Sequence, residues 1–445
     1  MDTLPLLPDV GGDSIVAYHG PAPVSQRQFL EDVFALAERL PDGDHLLNLC
    51  KDRYWFSAGL FAAMVRGKRS VLPNSVAPEV LAGFREPFSG LACLGDDPGG
   101  PDRYHYVRAP DCRTGTRPAV PATMPRVPAE EPVLYVHTSG STGKPQRHPK
   151  TLGQMRQGAL AGAKRLWAFA QGPCTVLGTV PFQHMFGLES TVFLPLLGGG
   201  KLSSRLPFFP ADVVSALAEL PEPRLLVITP FHLRTLLDTA IDYPPVAAVL
   251  SATAPMPAGL AAAAEERLGA PVVEIYGSTE TGQIATRRPA RQPEWDLYDD
   301  IDLTLDGDSA TVGGGHLRTR ETLHDVIEPC GAARFRLLGR RSDMVNVAGK
   351  RSSLAYLNHV IATIPGVRDA VFCVPDGHPD RDIARLAAFV VAPGLARRDL
   401  QSALQRKLDP VFLPRPVVFL DVLPRDGNGK LPAAALQELI AAHLP

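Results

Sequence analysis

No apolar run in the sequence approaches the ~20 residues that a membrane-spanning helix needs, so no such helix is expected. The six cysteines (Cys50, Cys93, Cys112, Cys174, Cys330, Cys373) contain no CxxC pair. That scatter argues against a disulfide scaffold or a structural zinc site and suits a reducing compartment. Charge of one sign is lacking too: 45 Lys and Arg face 47 Asp and Glu. A formal charge of -2 excludes a dominant attraction to duplex nucleic acid, while a local basic patch for a phosphorylated ligand stays open. The opening MDTLPLLPDVGGD carries Asp2 and Asp9 and no basic leader before an apolar run. The expectation is therefore a cytoplasmic chain without a signal peptide. Internal repeats and the Walker A pattern GxxxxGK[ST] are also missing.

What is present is alternation. Helical periodicity over 25–40, opened by a capping box of Ser25 and Gln28, precedes an apolar strand at 45–50; a helix at 53–65 and a strand at 70–72 follow. Strands are expected at 132–136, 175–180, 225–229, 246–250 and 272–276, with helices at 151–169, 231–240 and 257–268 between several of them. This is the pattern of an α/β architecture with mainly parallel sheets. From about Asp302 short Gly-turned segments (DLTLDG, ATVGGGHLRTR, ARFRLLGR) read as a small antiparallel region. Beyond Arg340 the order helix, strand, strand, helix, strand describes a compact α+β unit, with helices at 353–364 and 397–407. The expected organisation is a large N-terminal domain, 1–339, and a small mobile C-terminal α+β domain, 340–445. The Pro-rich stretch 101–128 reads as a long surface connection.

The sharpest local signal follows the strand VLYV: Thr138, Ser139, Gly140, Ser141, Thr142, Gly143, Lys144 and Pro145. Small residues let the backbone approach phosphate oxygens, successive N–H groups form an anion-binding concavity, and the hydroxyls and Lys144 add donors and charge. A polar turn between two elements is the plainer reading of such a loop in isolation. In its order of residues the loop resembles the [S/T]SG[S/T]TGxPK motif of the adenylate-forming superfamily, which comprises acyl- and aryl-CoA synthetases, peptide-synthetase adenylation domains and luciferases. Further segments in that family's order extend the resemblance from about 132 to 431.

The resemblance implies a role for each. PFQHMFG (181–187) places His184 by the acyl pocket, with Phe182, Phe186 and Gly187 lining it. Ser251, Ala252 and Thr253 of SATAP stand where a small-residue turn lies against adenine, although a Gly-Gly-Ala-Pro turn is commoner there. In EIYGSTETG (274–282), Tyr276 offers a stacking face to adenine, Gly277 and Ser278 shape the turn, Thr279 binds the α-phosphate and Glu280 ligates Mg²⁺ on ATP. Asp325 is the expected acceptor for both ribose hydroxyls and Arg340 a ribose or phosphate contact. Gly349, Lys350 and Arg351 of VNVAGKR line the expected thiol channel, and Lys430 of PRDGNGKL is the expected mobile catalytic lysine.

The implied activity is an ATP-dependent acid–thiol ligase: an acid becomes an acyl-AMP, then a thioester of coenzyme A. ATP, Mg²⁺ and coenzyme A are the expected ligands. Loading of a phosphopantetheinyl carrier protein, or an inactive homologue acting as a binding subunit, are the competing readings. The departures are Gln146 in place of the motif's lysine, with Lys150 as a stand-in, and Ser342 at the hinge. The chain's compactness and AGKRSSLAYLN resemble aryl-CoA ligase-like proteins of aryl polyene and xanthomonadin pigment pathways, which points to a hydroxybenzoate.

Overall fold

The computed structural model describes residues 2–73, 75–85, 87–88, 90–102, 104–114, 119–121, 123–139, 145–306, 309–340, 344–347, 350–375, 386–426 and 431–444. Short β-branched and leucine-rich runs form two large sheets. The first has the order Pro145–Thr151, Pro132–Ser139, Arg69–Leu72, His45–Asn48, Ala92–Gly95, His105–Arg108. All its neighbours run parallel except the first pair. The second sheet has eleven strands. Its parallel centre is Ile15–His19, Lys201–Ser203, Thr175–Gly178, Arg224–Ile228, Ala248–Ser251 and Val272–Ser278. Arg224–Ile228 and Ala248–Ser251 are buried at every residue, as a sheet covered on both faces demands. Past Val272–Ser278 the pairing turns antiparallel, and a separate antiparallel sheet joins Ile301–Asp306, Ser309–Gly314 and Glu321–Leu323. The α/β frame with a small antiparallel region is thus the one expected.

Helix Gln26–Arg39 begins on Ser25, whose side chain and that of Gln28 cap each other's backbone. Helix Arg53–Val65 is apolar on all sides and buried at every residue but the last. It touches strands of both sheets. Its buried Arg53 donates to the carbonyls of Ser203 (2.7 Å), Arg205 (2.7 Å) and Gly178 (2.8 Å), tying the carboxyl ends of two second-sheet strands to this helix.

Two elements differ from expectation. Between the phosphate loop and the helix lies a strand that was not expected: Pro145–Thr151 returns antiparallel along Pro132–Ser139 before helix Leu152–Ala170 starts on a Thr151–Gln154 capping box. Pro145 and Pro149 concealed this strand, and an edge position is where a sheet tolerates them. The Pro-rich connection 101–128 is also partly structured. It contributes edge strand His105–Arg108, and its Arg113 meets buried Asp32 at 2.6 Å.

The last hundred residues carry strands Asp369–Cys373, Ala387–Val391 and Val417–Phe419 and helices Leu354–Ala362, Arg397–Lys407 and Ala433–His443. Alternation by two decides their cores. Ala370, Phe372, Ala388 and Val390 enter one apolar cluster; Cys373, Ala387, Phe389 and Val391 enter the other. Both clusters draw all their buried members from Val345 onward.

Candidate active site

The segment YGSTETG is a hairpin at the antiparallel border of the second sheet, where Ser278 pairs with Gly282. Gly277 is required there, because a Cβ would lie 2.0 Å from the Gly282 carbonyl oxygen. Gly282 itself adopts φ +67°. The loop is closed by reciprocal bonds: the Ser278 N–H donates to the Thr281 hydroxyl (3.0 Å) and the Thr281 N–H to the Ser278 hydroxyl (3.2 Å). Thr279 and Glu280 occupy the half-buried tip.

Three buried ionisable side chains from distant segments grip the hairpin from beneath. Lys150 donates to the Glu280 carbonyl at 2.9 Å. His316 lies 2.9 Å from the Thr281 carbonyl, which can only accept, so its Nε2 carries hydrogen. Glu189 accepts from the Gln283 N–H at 3.3 Å. The Gln283 side chain continues the network, donating to Ser190 (3.1 Å) and accepting from Tyr298 (3.2 Å). Glu189 opens a π-helical turn, Glu189–Phe193, between helical stretches Met185–Leu188 and Leu194–Leu197. Burial pushes its carboxyl up to about 7, against the pull of Lys150 and the Gln283 N–H. Burial likewise lowers Lys150 and His316 from their ordinary values.

The sequence reading missed Glu189 and His316. A single acid inside the apolar run 185–197 was a usable signal for Glu189. His316, in a glycine-rich turn, gave none.

On the upper side, His148 Nε2 stands 3.1 Å from the Thr138 hydroxyl and 3.7 Å from Glu280 Oε1. The residue that leads into the phosphate loop is thereby connected to the Glu280 carboxylate. Burial works to raise that carboxyl, but the Ser278 hydroxyl, a backbone N–H and the charges of His148 and Lys150 together hold it below the ordinary range. Glu280 is therefore ionised at neutral pH. Among the described residues no group of three or more His, Cys, Asp or Glu can hold a metal. One ionised carboxylate, completed by nucleotide phosphates and water, is a donor set that suits Mg²⁺.

Tyr276 and Asp325, 49 residues apart, are joined: the phenol donates to Asp325 Oδ2 at 2.6 Å. The Tyr276 ring is seated against Trp295 and Phe335, with centroids at 5.5 Å in both cases. The SATAP turn continues strand Ala248–Ser251 on the adjacent strand. Ser251 is fully buried, and Thr253 holds φ +80°, a left-handed conformation that a β-branched residue adopts only under strain. Beneath this turn Glu274 accepts from the Met256 N–H (2.8 Å) and pairs with Arg287 (2.6 Å).

In PFQHMFG, a Cβ on Gly187 would lie 2.1 Å from the Pro181 carbonyl oxygen, so the tight turn demands glycine. His184 precedes helix Met185–Leu188 and Phe186 is half-buried. Phe182 is taken up by the core, fully buried against Phe56 (4.8 Å) with the Arg53 guanidinium over its ring.

Gly140, Ser141, Thr142, Gly143, Lys144, Ser342, Gly349 and Lys430 lie outside the described residues. Ser139 and Arg340 end strands Pro132–Ser139 and Arg334–Arg340, and Lys350 and Arg351 begin Lys350–Ser353. Five of the six cysteines are buried and all are free. Among the described residues no helix is long and apolar enough to cross a membrane.

With this geometry in view, comparison with known proteins is direct. Residues 89–313 match the AMP-binding enzyme family and residues 357–430 the AMP-binding enzyme C-terminal domain. The 4-coumarate–CoA ligase of Rhodobacter capsulatus is 31% identical over 302 residues, covering 66% of this chain and 73% of that protein. The indoleacetate–CoA ligase of Aromatoleum aromaticum is 25% identical over 363 residues, covering 71% and 69%. Among solved structures, the o-succinylbenzoate coenzyme A synthetase of Bacillus subtilis in complex with AMP superimposes with TM-score 0.80 at 19% identity, covering 97% of each chain. An anthranilate CoA ligase in complex with anthranoyl-AMP gives TM-score 0.81 at 16% identity, covering 99% and 98%. The chain belongs to the AMP-binding enzyme family, and within it to the AMP-forming acid–thiol ligases.

Proposed function

We propose that this AMP-binding enzyme converts a small aromatic acid to its acyl-AMP and then to its coenzyme A thioester. The observation that carries the reading is the convergence on one hairpin of Thr138, His148, Glu280, Tyr276 and Asp325, which a nucleotide triphosphate needs side by side. In this reading adenine lies over Tyr276 and the turn of Ser251, Ala252 and Thr253. Asp325 accepts from the ribose diol and Arg340 contacts ribose or phosphate. The loop 138–144 cradles the phosphates.

The substrate carboxylate attacks the α-phosphorus and pyrophosphate leaves. Thr279 and Lys430 offset charge on the phosphoryl oxygens, and positioning supplies most of the acceleration. Glu280 is the residue that would hold Mg²⁺; the ion, when bound, neutralises phosphate charge. No cysteine takes part. For the second step the unit 340–445 turns about the region of Ser342, so that Gly349, Lys350 and Arg351 replace Lys430 at the site.

An aryl acid is favoured by the aromatic acids in the names of several relatives and by His184, Phe186 and Gly187 at the expected acid pocket. A hydroxybenzoate of the kind used in aryl pigment pathways is our specific choice. ATP–pyrophosphate exchange over aromatic, fatty and amino acids tests this, followed by acyl transfer to free coenzyme A and to a holo-carrier protein. Exchange confined to aromatic acids and transfer to free coenzyme A are expected. Exchange with fatty or amino acids alone overturns the substrate class, and transfer to the carrier alone overturns the acceptor.

A further inference from the structure

The phosphate-loop motif of this chain lacks its usual lysine, having Gln146, yet Lys150, four residues further on the same face of strand Pro145–Thr151, is buried in the protein. His148, between them in that register, is buried as well. Both reach one residue on the other sheet. His148 stands 3.7 Å from the Glu280 carboxylate, and Lys150 donates at 2.9 Å to the Glu280 main-chain carbonyl. Thr281 and Gln283 of the hairpin are held by His316, at 2.9 Å from the Thr281 carbonyl, and by Glu189, at 3.3 Å from the Gln283 N–H. Glu189 and His316 also close over Gly282, where a Cβ would lie 2.6 Å from Glu189 Oε1 and 3.3 Å from His316 Nε2. Three hairpin residues, Glu280, Thr281 and Gln283, are thus bonded from the lysine strand, the π-helical turn and the turn before Glu321–Leu323.

We propose that Lys150, seconded by His316 and Glu189, is a positioning residue that aims the Glu280 carboxylate at MgATP. It does so by clamping the main chain of the hairpin from below. The inference rests on the reading of Glu280 as the residue facing the metal-bound triphosphate, and it goes beyond that reading by assigning the orientation of Glu280 to a strand of the other sheet. A side chain that acts only through Glu280 has a distinctive signature: once the Glu280 carboxylate is gone, its own removal adds nothing.

The experiment is a double-variant cycle on the full chain. Affinity for ATP is titrated at saturating and at limiting Mg²⁺, by calorimetry, for wild type, Lys150→Met, Glu280→Gln and the double variant. Circular dichroism confirms folding of each. We expect each single variant to weaken MgATP binding about tenfold, to leave Mg²⁺-free ATP binding within about twofold, and the double variant to match Glu280→Gln. Losses that multiply in the double variant, or an unchanged MgATP affinity in Lys150→Met, would overturn the clamp. If Lys150→Met fails to fold, His316→Gln enters the same cycle with the same expectations. Wild type that binds no MgATP at all would sink the ligase reading itself, an outcome distinct from additive losses in an active enzyme.

Discussion

Thr253 and Glu189 show how single residues carry strain or charge that the fold tolerates at this site. Thr253 at φ +80° stands in a left-handed conformation that costs a β-branched residue about 1–3 kcal/mol. Thr253→Gly is expected to stabilise the protein by about 1 kcal/mol, after the added freedom of the unfolded chain is subtracted. Urea melts measure this, and a less stable glycine variant would contradict it.

Glu189 has a folded pKa of about 7, raised by burial from its ordinary 4.5. Between these values the folded chain keeps a proton that the unfolded chain has released. The associated stabilisation is therefore complete below pH 4.5 and lost above about 7. Relative to Glu189→Gln, wild type should lose up to about 3 kcal/mol as pH rises through this window. Paired melts near ~pH 5 and ~pH 8 read the difference; a gap that does not change with pH would refute it.

Among elements, the YGSTETG hairpin depends most on glycine. The Cβ of Gly277→Ala would meet backbone, not a flexible side chain, at 2.0 Å. Substitution should cost several kcal/mol or the fold itself. Recovery of soluble protein with an unchanged melting temperature would show that the hairpin can open.

The same element shows what a sequence reveals and what it hides. Its motif, the parallel strands before it and helix Arg53–Val65 were legible, since an apolar run bounded by turn residues has few alternatives. Strand Pro145–Thr151 was hidden by its two prolines, because edge pairing depends on a partner strand and not on local propensity. The clamp was hidden for a related reason. Lys150, Glu189 and His316 are far apart in sequence, and only the tertiary packing of three separate elements around the hairpin brings them to one turn. The packing of Phe182 was equally illegible: its burial against Phe56 depends on a helix over a hundred residues earlier in the chain.

At the scale of the molecule, we propose that two parts of the chain take two roles. Buried residues from Val345 onward build clusters of their own, as a separate domain would need. We place the boundary at 339/340 and Lys430 on the moving part. Lys430→Ala should lower ATP–pyrophosphate exchange by at least about a hundredfold while MgATP affinity changes less than about threefold. Thioester formation from supplied acyl-AMP should persist. Undiminished exchange would remove Lys430 from the first step.

The most direct test of the whole account is a crystal structure of the protein with MgATP. It should place adenine on Tyr276, the ribose hydroxyls on Asp325 and the metal-bound phosphates between the 138–144 loop and Glu280. A triphosphate bound away from the YGSTETG hairpin would contradict it.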